Sequence, residues 1–79
     1  MTYKIVTSEV SKRMIELADE GVLALLDERE EGMVRLHFGV DGDTFTFELV
    51  GSEYGVSRQR AHQIITRALD RLGIDPWDS

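Results

Sequence analysis

The residues of this chain best suited to chemistry form one short segment, Gly55 to Gln63 (GVSRQRAHQ). Glycine suits a tight turn and serine a helix N-cap, so the polar side chains that follow belong to the first turns of a helix. Arginine, glutamine and histidine bond base edges and phosphates, and a recognition helix presents such groups to the DNA major groove. The segment predicts such a helix, with double-stranded DNA as its ligand. The candidate DNA-binding residues are Ser57, Arg58, Gln59, Arg60, His62, Gln63 and Arg67.

On spacing alone, the same side chains also fit a solvated helix face. Arg67 and Arg71 lie farther along the helix and are expected to contact the DNA backbone or to remain on the surface. Ser57 is explained as a cap, and no nucleophile is paired with a base, so we predict no enzyme activity. His37 and His62 lie on separate elements without a cysteine or a clear acidic partner. We therefore predict no metal site and no cofactor.

The chain has 79 residues, a length that allows one domain, 1–79. Charge is distributed unevenly along it. The net charge of −6 argues against nucleic acid at first sight, but residues 56–73 contain four arginines and a single acid, Asp70. DNA affinity depends more on such a local patch than on the total charge, although the acidic remainder weakens long-range attraction. The chain has no cysteine and no apolar run that approaches a membrane span. These features predict a cytoplasmic protein without a membrane partner.

The helical spacing of apolar residues predicts an all-α fold of four helices, with three to five as the range. Thr7 or Ser8 caps the first helix, and Thr2 to Val6 before it is either an extended arm or a small edge strand. Gly21 either weakens one long helix or separates two shorter ones. The apolar residues assigned to this region are Val10, Met14, Leu17, Ala18 and Leu25.

A second helix of about ten residues begins after Asp27 and ends at Gly39. Its apolar contacts are assigned to Met33, Val34, Leu36 and Phe38. The acids at its start are favoured by the helix dipole, so they form either a solvated face or, alternatively, a contact with a basic partner. These acids are Asp27, Glu28, Glu30 and Glu31.

The third and fourth helices are predicted to form a helix-turn-helix. Residues 45–47 alternate as a strand would, but we prefer Thr46 as the N-cap of a helix that ends at Gly55. Ser57 caps the last helix, and Val56 fills the corner between the two. The core-facing residues are assigned as Phe47, Val50 and Tyr54 on the third helix and Ala61, Ile64, Ile65, Ala68, Leu69 and Leu72 on the fourth.

Residues 74–79 form a tail after the fourth helix. Gly73 ends that helix and Pro76 prevents its continuation. Trp77 either folds back to cover the domain or serves as an exposed anchor for a partner.

Five segments taken together resemble region 4 of sigma-70-family transcription initiation factors. Residues 22–30 (VLALLDERE) resemble the family pattern VLxxLxxRE, and residues 34–40 (VRLHFGV) resemble LRxRFGL. Residues 46–51 (TFELVG) resemble TLEEVG, residues 55–64 (GVSRQRAHQI) resemble GVSRERIRQI, and residues 68–72 (ALDRL) resemble ALRKL. The resemblance covers residues 22–73, with 1–21 as an N-terminal arm and added helix.

This resemblance implies that the domain reads the −35 promoter element and docks on the β flap of RNA polymerase. Arg58, Arg60 and Gln63 would contact DNA, and Ser57 would lie near a phosphate. For the flap contact, the resemblance implies only a region, roughly residues 22–40, and no individual residues. Nothing in the chain resembles the region that melts the −10 element, so we expect a stand-alone region 4-like module that does not initiate transcription by itself.

Several positions depart from the family pattern. Gln59 replaces a glutamate that accepts from cytosine, and glutamine pairs best with adenine. His62 replaces an arginine, and histidine is mostly neutral at pH 7. Leu49 and Ile65 replace acids, and Ala61 replaces a larger residue. The apolar residues in place of acids, Leu49 and Ile65, indicate either extra packing against the added N-terminal segment or a protein interface.

The residues and the family resemblance together predict two alternative functions. The preferred one is a DNA-binding transcription regulator that also contacts RNA polymerase. The alternative is a protein-binding module that mimics region 4, binds RNA polymerase or another protein, and has little or no DNA binding. The acidic balance and the apolar residues Leu49 and Ile65 favour the alternative, whereas Arg58 and Arg60 favour the first.

Overall fold

The computed structural model describes residues 5–77, and all regular elements within that range are helices. Helix α1 spans Ser8–Asp19, a 3₁₀ helix spans Val22–Leu25, and α2 spans Glu28–Phe38. Helix α3 spans Phe47–Tyr54 and α4 spans Arg58–Leu72. The all-α prediction of four helices is confirmed. Of the predicted arm or strand, residues 2–4 lie outside the described residues, and Ile5 and Val6 belong to neither a helix nor a strand.

Side-chain caps explain where the four α-helices begin. Each cap oxygen accepts a hydrogen bond from the backbone N–H three residues farther on, which satisfies a donor that has no partner inside the helix. The hydroxyl oxygen of Thr46 accepts a hydrogen bond of 3.2 Å from the backbone N–H of Leu49. Of the strand and the helix considered for residues 45–47, the chain therefore forms a helix that begins after Thr46. The capping residues are Thr7, Asp27, Thr46 and Ser57.

Gly21 separates α1 from the 3₁₀ helix, because its φ of +83° is a left-handed conformation that favours glycine. The helical phase of α1 therefore does not continue to Leu25. Leu25 is 79% exposed, so its assignment to the same apolar face as Val10 and Met14 was wrong. Leu23 takes its place in the core and is fully buried.

The core lies where the helices meet, with buried side chains from every element. Fully buried residues come from α1 (Met14), α2 (Met33, Val34, Phe38), α3 (Val50) and α4 (Ala61, Ala68). The predicted apolar face of α4 is confirmed: Ala61, Ile64, Ile65, Ala68 and Leu69 are buried, and Leu72 is half-buried against them. On α3, Val50 is buried, and Phe47 and Tyr54 are half-buried against the core.

The acids at the start of α2 are mostly used within the fold. Asp27 and Glu30 cap the helix reciprocally, and the Glu30 carboxylate also pairs with Arg71 of α4. The Glu31 carboxylate lies 3.2 Å from Nε of Arg35. The pair between Glu30 and Arg71 ties α2 to α4. Together these contacts leave less acidic surface for the basic partner considered above.

The C-terminal tail folds back onto the domain. The Pro76 carbonyl accepts a hydrogen bond of 2.8 Å from Arg13 of α1, and the indole N–H of Trp77 donates to the carbonyl of Ile5 at 2.9 Å. The Trp77 ring lies 5.3 Å from that of Phe38. Trp77 is therefore a cover for the core and not an exposed anchor.

Candidate nucleic-acid interface

A tight turn of three residues, 55–57, joins α3 to α4. Gly55 adopts a φ of +69°, a left-handed conformation that ends α3. The backbone N–H of Val56 then donates to the Gly51 carbonyl at 2.9 Å, and its side chain packs against the core as predicted. The turn therefore sets the direction in which α4 leaves α3.

Gly51 allows the two helices to approach closely at this turn. A Cβ atom built on Gly51 would lie 2.6 Å from the carbonyl oxygen of Val56 and 3.0 Å from that of Ser57. Both oxygens belong to the backbone, so no side-chain rotation relieves the contact. The angle between the helices thus depends on the absence of a side chain at Gly51.

All seven candidate residues are exposed, on the N-terminal two thirds of α4 and its cap. The ten positions 58–67 extend over about 14 Å at 1.5 Å per residue, which is close to the roughly 12 Å width of the major groove. The structure brings the candidates together on the solvent side of one helix. They are Ser57, Arg58, Gln59, Arg60, His62, Gln63 and Arg67.

The arginines of α4 differ in their surroundings. Among residues 5–77, Arg58, Arg60 and Arg67 have no acidic side chain within ion-pair distance, and Arg60 Nη1 makes one long contact of 3.4 Å with the amide oxygen of Gln63. Arg71, near the end of the helix, pairs with Glu30. Within α4, the arginines without an acidic partner therefore lie between residues 58 and 67, before the paired Arg71.

Thr66 is an exposed residue of this surface that the sequence reasoning missed. It lies one helical turn after His62 and Gln63, so its hydroxyl faces the same side. The spacing of three and four residues from those two positions was the signal available in the sequence. Asp70 follows one turn later and is also exposed. The acid marks the far end of the basic surface.

Leu49 and Ile65, the two apolar residues that stand where the family pattern has acids, have different environments. Ile65 is 1% exposed and forms part of the core, whereas Leu49 is 52% exposed on α3. Internal packing explains Ile65, so it gives no support to a protein interface. Leu49 is the residue of the two that remains available to a partner.

His37 is buried beside this surface, at 6% exposure. Its Nδ1 lies 2.8 Å from the Phe45 carbonyl, so Nδ1 carries the proton and donates. Burial lowers the pKa of His37, the hydrogen bond to Phe45 opposes that change, and the charge of His62 reinforces it. In the described part of the chain, no three histidine, cysteine or acidic side chains are grouped as metal ligands would be.

Two helices joined by a tight glycine turn, the second with an exposed and donor-rich start, define a helix-turn-helix protein. The family model for Sigma-70, region 4 matches residues 22–72, and the chain belongs to this family. The chain is also 52% identical over 54 residues to the RNA polymerase sigma factor SigA of a Bacillus species. That match covers 67% of this chain and 14% of the relative. The chain is thus a transcription-related domain, and its family is not a class of enzymes. It spans a small part of that relative's length.

Among the described residues, no helix has both the length and the apolar character needed to cross a membrane.

Proposed function

We propose that this domain binds promoter-type duplex DNA with α4 in the major groove. The observation that carries the proposal is the exposed N-terminal two thirds of α4, where three arginines without an acidic partner among residues 5–77 accompany exposed glutamine side chains. Arg58 and Arg60 contact guanine or phosphate, Gln59 and Gln63 read base edges, and Ser57 lies near a phosphate. His62 and Arg67 complete the contact surface.

The net charge of −6 does not oppose this proposal as strongly as the total suggests. The carboxylates of Glu30, Glu31 and Asp41 each pair with an arginine on another part of the fold or on their own helix. Their charges are thereby partly compensated locally. The arginines at the start of α4 have no such compensation, which supports a local attraction for phosphate.

Salt dependence and matched variants test the DNA proposal. Duplexes are selected from a random pool, and affinity is measured by fluorescence anisotropy between roughly 50 and 200 mM salt. If three arginines meet phosphates, the slope of log affinity against log salt is about −3. Arg60→Ala is expected to weaken binding about tenfold or more.

Arg71→Ala is the matched control, since it also removes one positive charge from α4 but at a residue paired with Glu30. It is expected to change affinity much less than Arg60→Ala. An absence of duplex binding by the wild-type protein at low salt, or an equal loss in both variants, contradicts the proposal.

We also infer a contact with the β flap of RNA polymerase through residues 22–40. Leu25, at 79% exposure, is a large apolar side chain exposed in this region. It supports such a contact because burying an exposed leucine against a partner is energetically favourable. Leu25→Asp is expected to reduce binding to purified RNA polymerase. Leu49→Asp, on α3 and outside the region, is the control, and equal losses in both variants contradict a site centred on residues 22–40.

The exposure of Leu49 favours a second candidate function, a protein-binding module with little DNA binding. In that case the double variant Arg58→Ala, Arg60→Ala retains its protein partner, whereas Leu49→Asp loses it. Loss of the partner in the arginine double variant, with retention in Leu49→Asp, contradicts this candidate.

A further inference from the structure

Three aromatic rings from three different helices lie in contact beside the proposed DNA surface. The ring of His37 on α2 stacks on that of Phe47 at the start of α3, with centroids 4.0 Å apart and an angle of 19°. The Phe47 ring also contacts that of His62 on α4, at 4.8 Å and in an edge-to-face arrangement of 75°. We call these three residues the ring stack.

The inner end of the ring stack is held rigidly. His37 is buried, and its Nδ1–H donates to the Phe45 carbonyl at 2.8 Å. Its ring also meets that of Phe38 edge to face at 4.9 Å. Since His37 is fixed by these contacts, it supports one position of the Phe47 ring.

The outer end of the ring stack is exposed and belongs to the candidate interface. His62 lies among the exposed residues of α4, with Gln59 and Thr66 one turn before and after it. An exposed side chain ordinarily samples several rotamers. Contact with Phe47 restricts this freedom, so the imidazole faces solvent in one preferred orientation.

All three positions differ from the family patterns given above, in which arginine, leucine and arginine stand where this chain has His37, Phe47 and His62. A leucine at position 47 offers no ring face to position 62. A long arginine reaches a phosphate from many positions, whereas a short imidazole depends on how it is held. The three departures are therefore joined by two ring contacts, both of which involve Phe47.

We propose that Phe47 is a positioning residue for DNA recognition, which holds the His62 ring in the orientation that reads the duplex. This inference rests on the proposed DNA-binding function. Because the His62 side chain is already held in the free protein, less conformational entropy is lost when the complex forms. This difference corresponds to about a fivefold gain in affinity. Because the ring is held in one orientation, the gain applies to a selected duplex and not to unrelated DNA.

A double-mutant cycle tests the proposal. Phe47→Leu, which places the family residue at this position, is combined with His62→Ala, and affinities are measured for the selected duplex and an unrelated one. Phe47→Leu is expected to weaken binding to the selected duplex about fivefold, with no further loss when His62 is already alanine. Phe45→Leu is the matched control, because it makes the same change beside the ring stack and keeps the carbonyl that holds His37.

Proton NMR tests the ring stack without DNA. The His62 ring protons are expected to show a ring-current shift that disappears in Phe47→Leu and remains in Phe45→Leu. An unchanged His62 signal in Phe47→Leu overturns the proposal while leaving the DNA-binding function intact. Additive effects in the cycle, or equal losses on both duplexes, also overturn it, since they indicate a merely structural role for Phe47.

Two further outcomes are decisive. If the wild-type protein binds no duplex, the proposed function fails, and this inference fails with it even when the ring-current shift is present. If Phe47→Leu does not fold, the wild-type protein must show nuclear Overhauser effects between the rings of Phe47 and His62, and His62→Ala must lose affinity for the selected duplex alone. Absence of either result overturns the proposal.

Discussion

Replacing Gly51 with alanine is expected to reduce the free energy of unfolding by about 2 kcal/mol. The new methyl group would lie 2.6 Å from the Val56 carbonyl oxygen and 3.0 Å from that of Ser57. Relief requires α4 to move away from α3, and overpacking that displaces backbone costs about 3 kcal/mol at the upper end of its usual range. The higher helix propensity of alanine offsets about 1 kcal/mol of this cost.

Urea denaturation followed by far-ultraviolet circular dichroism measures the change. For a domain of this size, a loss of about 2 kcal/mol lowers the melting temperature by roughly 10 °C. Gly42→Ala is the matched control, because Gly42 lies in a loop, its φ is not positive, and a Cβ atom there would meet nothing within 4 Å. Equal stabilities of the two variants would refute the argument that the turn requires glycine at position 51.

Three other perturbations test the remaining parts of the fold. Because burial lowers the pKa of His37, the unfolded state binds a proton first as the pH falls. Stability should therefore decrease below about pH 6.5, by at most about 1.4 kcal/mol per pH unit, and urea titrations of wild type and His37→Phe will show whether the slope depends on this ring. Ile65→Glu places a carboxylate in the core and should cost several kcal/mol, whereas Leu49→Glu at an exposed site should change stability by about 0.5 kcal/mol or less, and similar melting temperatures would contradict the assigned burial. Ser57→Ala removes the cap of α4 and should cost about 1 kcal/mol in the same assay, with Ser52→Ala, an exposed serine that caps no helix, as the unaffected control.

Local chemistry explains why most element boundaries were predictable. A cap acts on the backbone three residues away, and a glycine at positive φ acts on its own residue, so both signals lie within a few positions of the boundary. Thr46 illustrates this: its hydroxyl decides the start of α3 even though the flanking phenylalanines alternate as in a strand. The assignment of Leu25 was wrong for the complementary reason, because apolar spacing was carried across Gly21, where the helix ends.

The candidate site was less predictable than the fold. The exposure of the start of α4 follows from the apolar spacing of the same helix, so the candidate residues of that helix were predicted to share a surface. Thr66 follows from the same spacing, but its single hydroxyl is a weaker indication of DNA contact than the arginine and glutamine side chains beside it. The ring stack was not predictable in this way, because His37, Phe47 and His62 lie far apart in the sequence.

The sequence by itself determined the helices, the helix-turn-helix and the family to which the chain belongs, because these depend on caps, glycines and spacing that are read within a few residues. Tertiary structure alone decided how side chains from different helices are used. It buried Ile65 and exposed Leu49, paired Arg71 with Glu30, and brought both His37 and His62 into contact with Phe47. The physical reason is that burial, ion pairing and ring contact depend on distances across the core, which no local pattern specifies.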